Sequence, residues 1–228
     1  MDPMDLNGEA ERPASSRTSI LFGWLIISLQ IVASVISYPF LPDRVPSHWN
    51  IFGQIDGYMP KLFNAICFPA LSMALWLLFR VLLATGPKFG RANQQAAISF
   101  ITRVLPALFL LLLAVQLAAI AVALGKAVSI LFVATMFLSL LFVYLGNYMG
   151  KLRRNAWAGI RTRWTMANDT VWERTHRLGG RLFVVVGVVG IVASFIPQLG
   201  LWIVLGGLVV LTVVLYVYSY VVYRRVVD

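Results

Sequence analysis

Any chemistry in this chain rests on few side chains. Two histidines occur in 228 residues, His48 and His176. His176 follows Glu173 by three positions and Asp169 by seven, so a helix would bring carboxylate and imidazole onto neighbouring turns, suited to acid–base work or to a metal ion. A lone Glu-x-x-His pair is an incomplete metal set, because helical carboxylate sites draw further ligands from other helices. His48 is accompanied only by Asp43 and Asp56. The single cysteine, Cys67, lies in an apolar run and cannot close an internal disulfide. The apolar runs hold no paired aspartates, no His-Glu-x-x-His and no Ser/His arrangement. The sequence therefore implies no catalytic residue, no metal and no cofactor.

The elements around these residues are dictated by composition. Hydrophobic residues make up 60% of the chain and charged residues 12%, roughly half the charge of a soluble domain. With a mean hydropathy of +0.82, this excludes a water-soluble globular fold, a disordered chain and a disulfide scaffold. Crossing ~30 Å of hydrocarbon takes about 20 helical residues. Six runs qualify: Ile20–Leu41, Leu62–Ala84, Val104–Leu124, Ala127–Gly146, Leu182–Ile196 and Leu201–Val222. They are continuously apolar rather than alternating, which favours helices over a barrel. The expected fold is all-α, a polytopic integral membrane protein with six transmembrane helices. Residues 1–19 are expected to form a flexible cytoplasmic tail. Residues 20–84 are the first two spans with an outer cap at 41–61, 85–146 a cytoplasmic connection and a helical hairpin, and 147–228 a loop at 147–181 with the last two spans.

Six crossings divide the cations unequally. One side receives sixteen Lys and Arg, among them Arg12, Arg17, Arg80, Lys88, Arg91 and Arg103, while the other receives Arg44, Lys61 and Lys126. Basic residues are retained in the cytoplasm, so both termini are expected there. Within the spans no ionisable side chain is central, unlike a proton- or ion-coupled transporter. Gln30 and Gln116 are central amides, expected to bond each other or a backbone carbonyl. Gly187, Gly190, Gly206 and Gly207 read as helix-packing positions. Pro69 and Pro106 read as span-start prolines.

Two connections hold the remaining polar and aromatic groups. In the outer one, four prolines forbid a regular helix, Asp56-Gly57 signals a turn, and Trp49, Phe52 and Tyr58 suit an interface. Either it anchors two helices at the membrane surface, or it meets something arriving from outside through His48, Trp49, Asn50, Asp56 and Tyr58. The inner connection, residues 147–181, carries eight bases against Asp169 and Glu173. Thr170-Val171-Trp172-Glu173 fits a capping box, giving a short helix from Val171 to Leu178 that stops at Gly179-Gly180, with Glu173 and Arg177 paired at i,i+4. Three readings are open. It holds a helix flat on anionic membrane lipids, docks a cytoplasmic protein or acidic headgroup, or carries out catalysis through Glu173 and His176. The candidate binding residues are Asn147, Asn155, Arg161, Thr162, Trp164, Trp172, Glu173, His176 and Arg177. Direct nucleic-acid binding is not expected, since no reading motif accompanies the bases.

At these connections the sequence resembles the SdpI family. The outer stretch Leu41-Pro42…Val45-Pro46-Ser47-His48-Trp49-Asn50…Gly53…Asp56-Gly57-Tyr58…Lys61 is similar to the family's companion domain of unknown function. The inner stretch Gly146-Asn147…Asn155…Gly159-Ile160-Arg161-Thr162…Trp164-Thr165…Val171-Trp172…Thr175-His176-Arg177…Gly180 is similar to its C-terminal signature. The family often has Pro where Arg163 stands. The resemblance implies a multi-pass protein of the bacterial cytoplasmic (inner) membrane that gives immunity to a membrane-active peptide toxin. It also implies signal transduction, by holding a transcriptional repressor at the membrane. A membrane enzyme or transporter acting on lipids or hydrophobic compounds is the competing reading.

Overall fold

The computed structural model describes residues 14–85, 94–155 and 157–227. Six long helices carry the expected crossings: α1 (Ala14–Ser37), α2 (Lys61–Thr85), α3 (Gln94–Ala123), α4 (Ile130–Met149), α6 (Asp169–Ala193) and α7 (Pro197–Val227). Each holds a stretch long and apolar enough to span a bilayer. The chain is a multi-pass helical membrane protein. A short helix, α5 (Arg163–Ala167), precedes α6, and a two-stranded antiparallel sheet joins α1 to α2. Lys88 and Arg91 lie outside the described residues, as does Arg12. Of the expected tail, residues 1–13 lie outside the described residues, and residues 14–19 belong to α1.

Helices α1, α2 and α3 meet around Ile26, Ile27, Trp76, Phe79 and Phe109, with Trp76 edge-on to Trp24 and Phe109. One turn further along, polar groups link the same three helices. Pro69 lies inside α2, not at its start, and having no N–H it leaves the carbonyl of Ala65 without its helical donor. The hydroxyl of Ser34 on α1 donates to that carbonyl at 2.7 Å. Gln116 on α3 in turn donates from Nε2 to Ser34 Oγ at 2.9 Å and to the carbonyl of Gln30 at 3.0 Å. Of the two central amides, Gln116 thus bonds a backbone carbonyl, one of the partners expected, whereas the Gln30 side chain bonds neither Gln116 nor a carbonyl among the described residues. Pro106 likewise lies within α3, which starts ten residues before the apolar run.

The second half is built on α4 and α6, the most extensively packed pair. Glycines set their distance: a Cβ on Gly146 would fall 2.6 Å from the Gly180 carbonyl, and one on Gly187 would fall 2.7 Å from the Ser139 carbonyl. Small residues let membrane helices approach backbone to backbone. This corrects the expected helix stop at Gly179-Gly180. Helix α6 runs through both glycines, since ending it there would strand backbone groups next to hydrocarbon at several kcal/mol each, against about 1 kcal/mol for a helical glycine. Gly207 packs on Val186, whereas Gly206 faces open space and is no packing position.

Candidate functional site

The chain places its two unusual connections at opposite ends of the bundle. At one end, η1 (Tyr38–Phe40) leads into β1 (Arg44–Trp49), which pairs with β2 (Ile55–Pro60). The four prolines exclude a helix here, as expected, but the result is a hairpin. Asp56-Gly57 is not its turn: Gly57 lies opposite His48 at an irregularity in the register, where a Cβ would come within 2.9 Å of His48 Cβ. The turn is made by Asn50, whose Oδ1 accepts the N–H groups of Phe52 at 2.9 Å and Gln54 at 3.0 Å, while Gly53 adopts φ +80°. Asp43 and Lys61 close the hairpin base through an ion pair of 3.0 Å and a backbone bond of 3.0 Å.

These contacts divide the candidate residues at this end. Asn50 is committed to the turn. Trp49 packs on Ala118, Ile130 and Leu131, seating the hairpin on α3 and α4. The carbonyl of Phe52 also accepts from Gln198 at the start of α7, at 3.4 Å. His48 and Asp56 form an exposed pair, Nδ1 to Oδ1 2.5 Å, and Tyr58 and the Phe52 ring are also exposed. This surface has aromatic and charged groups side by side, suited to an amphipathic peptide or a headgroup.

At the other end, residues 150–155 and 157–168 fold into a compact lobe against α6 and α7. Asn155 is buried and spends all its polar capacity locally. Its Oδ1 accepts from the N–H groups of Trp157 and Ala158, both at 2.8 Å, and its Nδ2 donates to the carbonyls of Arg153 and Ala158. Gly159 adopts φ +117°, and a Cβ there would collide with the His176 imidazole. Beyond it, the Ile160 N–H donates to His176 Nε2 at 2.9 Å, and His176 Nδ1 donates to the Trp172 carbonyl at 2.8 Å. An acceptor Nε2 and a donor Nδ1 specify one tautomer of the imidazole. The ring stacks on Trp172 with centroids 3.9 Å apart, and both residues are fully buried.

Further along, Thr162 and Thr165 form a capping box at the start of α5, and Thr162 Oγ1 donates to Ser219 of α7 at 3.1 Å. Trp164 packs edge-on to Tyr216 and tilted against Tyr220. The expected capping box at Thr170 is replaced by Asn168, whose side chain accepts from the N–H groups of Thr170 and Val171. Asp169 pairs with Arg154, Nε to Oδ1 2.7 Å. Asn147 donates back to the Val143 carbonyl within α4. Arg161, Glu173 and Arg177 remain exposed.

Thus Asn155, Thr162, Trp164, Trp172 and His176 are brought together, but as the internal scaffold of the lobe. The Glu173–His176 pair does not converge on a shared site: His176 is enclosed with both nitrogens bonded, while Glu173 faces outward. Gly159 and Thr165 stood in the inner stretch of the resemblance without an assigned role, while Ser219 and the Arg154–Asp169 pair had no place in the sequence reading. An Asn followed four residues later by Gly hinted at a tight loop; the other contacts have no local signature.

Comparison with known proteins returns matches over both ends. Residues 151–221 match the SdpI/YfhL protein family, and residues 25–73 match a domain of unknown function, DUF1648. Immunity protein SdpI of Bacillus subtilis (strain 168) is 25% identical over 171 residues, which is 75% of this chain and 79% of that protein. No solved structure matches the chain. The hairpin end lies in the DUF1648 segment and the lobe in the SdpI/YfhL segment, so each end of this multi-pass membrane protein is similar to one of these two families.

Proposed function

We propose that this protein is an immunity protein of the bacterial inner membrane, protecting the cell from a membrane-active peptide and acting by binding rather than turnover. The observation that carries this reading is the similarity to Immunity protein SdpI across three quarters of the chain, beside the family matches at residues 25–73 and 151–221. The sixteen-to-three division of cations supports a cytoplasmic lobe and termini, with the hairpin outside. On that orientation, His48, Asp56, Tyr58 and Phe52 form the surface that an incoming peptide meets. Arg161, Glu173 and Arg177 remain on the cytoplasmic side to contact a partner such as a repressor. Relay between the ends requires that peptide binding favour one of two helix arrangements by differential contacts. The internal commitment of Asn155 and His176 favours this reading over a lipid-processing enzyme built on those residues.

The test is expression of the chain in a peptide-sensitive bacterium, scoring survival and membrane potential across a panel of membrane-active peptides. Protection by the wild type, reduced by His48→Ala with Tyr58→Ala at equal membrane abundance, is the expected result. Equal sensitivity with and without the wild-type chain across the whole panel would overturn it.

A further inference from the structure

Where α4 ends at Met149, residues Gly150–Arg154 turn back along the first turns of α6, leaving a cavity of about 450 Å³. Lys151, Arg153, Glu173 and Arg177 line it, together with the Arg154–Asp169 pair. Its depth follows from chain geometry. Lys151 stands two residues beyond a 20-residue span, and a Cβ on Gly150 would lie 3.7 Å from Arg177 Cα, so Arg177 is held at the same level. Helix α6 has 25 residues, about five more than the ~20 needed to cross hydrocarbon, so its first turn, with Asp169 and Glu173, reaches the headgroup layer and Arg177 follows one turn on.

The charges in this cavity do not cancel. Arg154 is committed to Asp169 and donates from Nη1 to the Met166 carbonyl at 2.7 Å. Lys151, Arg153 and Arg177 remain, all exposed, against Glu173, and none of the three forms an ion pair among the described residues. Guanidinium forks match phosphate oxygens two at a time, and a lysine adds a point charge. The volume lies in the range of small-molecule sites.

We propose that this cavity binds a phosphate group at headgroup depth, supplied by an anionic phospholipid, through Lys151, Arg153 and Arg177. Glu173 opposes the anion and limits its affinity. The site differs from the Asn155–His176 cluster, whose polar atoms are already bonded. It is independent of the immunity reading, which is scored by peptide survival and not by lipid binding.

The test uses the full-length protein in neutral maltoside micelles, titrated separately with dihexanoyl-phosphatidylglycerol and with inorganic phosphate. Arg153→Gln combined with Arg177→Gln should weaken the lipid probe by roughly tenfold or more, while Arg163→Gln, an exposed base of the same lobe outside the cavity, changes it less than about twofold. Glu173→Gln should tighten it several-fold, and this variant decides the matter alone if the double variant does not fold. Inorganic phosphate binding as tightly as the lipid, with the same response to the variants, would keep the phosphate site and replace the lipid as its source. No effect of Glu173→Gln, or an Arg163→Gln loss equal to that of the cavity variants, overturns the proposal.

Discussion

The imidazole of His176 accepts the backbone N–H of Ile160 at 2.9 Å, across sixteen residues of chain. That bond fixes the loop after Gly159 to the first turns of α6, and the stack on Trp172 places the ring. Trp172 itself donates from Nε1 to the Leu152 carbonyl at 2.6 Å, so two neighbouring side chains of one helix hold both halves of the lobe.

Replacing His176 with Ala leaves the Ile160 N–H without its acceptor and opens a gap beside Trp172. The expected loss is about 2 kcal/mol. It should appear as a lower melting temperature and faster proteolysis between residues 150 and 162. His176→Gln, whose amide oxygen can take the same N–H, should recover part of it. Full stability of the Ala variant would show that the bond carries no weight.

The Ser34 hydroxyl serves a carbonyl that Pro69 leaves without a helical donor. Ser34→Ala should cost about 1 kcal/mol in the wild-type background, within the range of interhelical hydrogen bonds in membranes. In a Pro69→Ala background the restored N–H bonds Ala65 within α2, and the same Ser34 change should cost less. A double-mutant cycle on thermal unfolding in detergent checks this; equal costs in both backgrounds would refute the link.

Gly180→Ala inserts a methyl group 2.7 Å from the Gly146 carbonyl. Separating α4 from α6 should cost about 1–3 kcal/mol. Gly206→Ala, with nothing within 4 Å, is expected to be neutral or slightly stabilising. Paired melting curves distinguish the two sites, and equal behaviour would argue against backbone contact as the organiser of this half.

Orientation is open to direct measurement. With Cys67 replaced by Ala, single cysteines at Phe52 and Ala158 should react with a membrane-impermeant maleimide from opposite faces, Phe52 in intact cells and Ala158 only after lysis. Labelling from the same face would remove the assignment of an outward hairpin and an inward lobe.

Much of the architecture was legible in the order of residues. Hydrocarbon thickness allows few ways to dispose of six long apolar runs, and backbone groups in lipid must bond within their own segment, so run length alone specified the helices. The two connections stood out for a related reason: proline-rich and Arg/Trp-rich stretches cannot be continued spans. The SdpI resemblance was carried by these same stretches.

The roles of individual residues were a different matter. In sequence, His176 beside Glu173 reads as acid–base machinery, yet burial under Gly159 and bonds to Ile160 and Trp172 make it a clamp. Gly179-Gly180 reads as a helix stop, yet Gly146 on another helix makes it a crossing. Pro69 reads as a span-start proline, yet it lies inside α2 and Ser34 supplies the bond that the Ala65 carbonyl lacks. Each reversal depends on a group far away along the chain. Helix formation in a bilayer is governed by local hydropathy and length, whereas the use made of a polar or small side chain is governed by which distant backbone comes to lie beside it, and only the folded chain determines that.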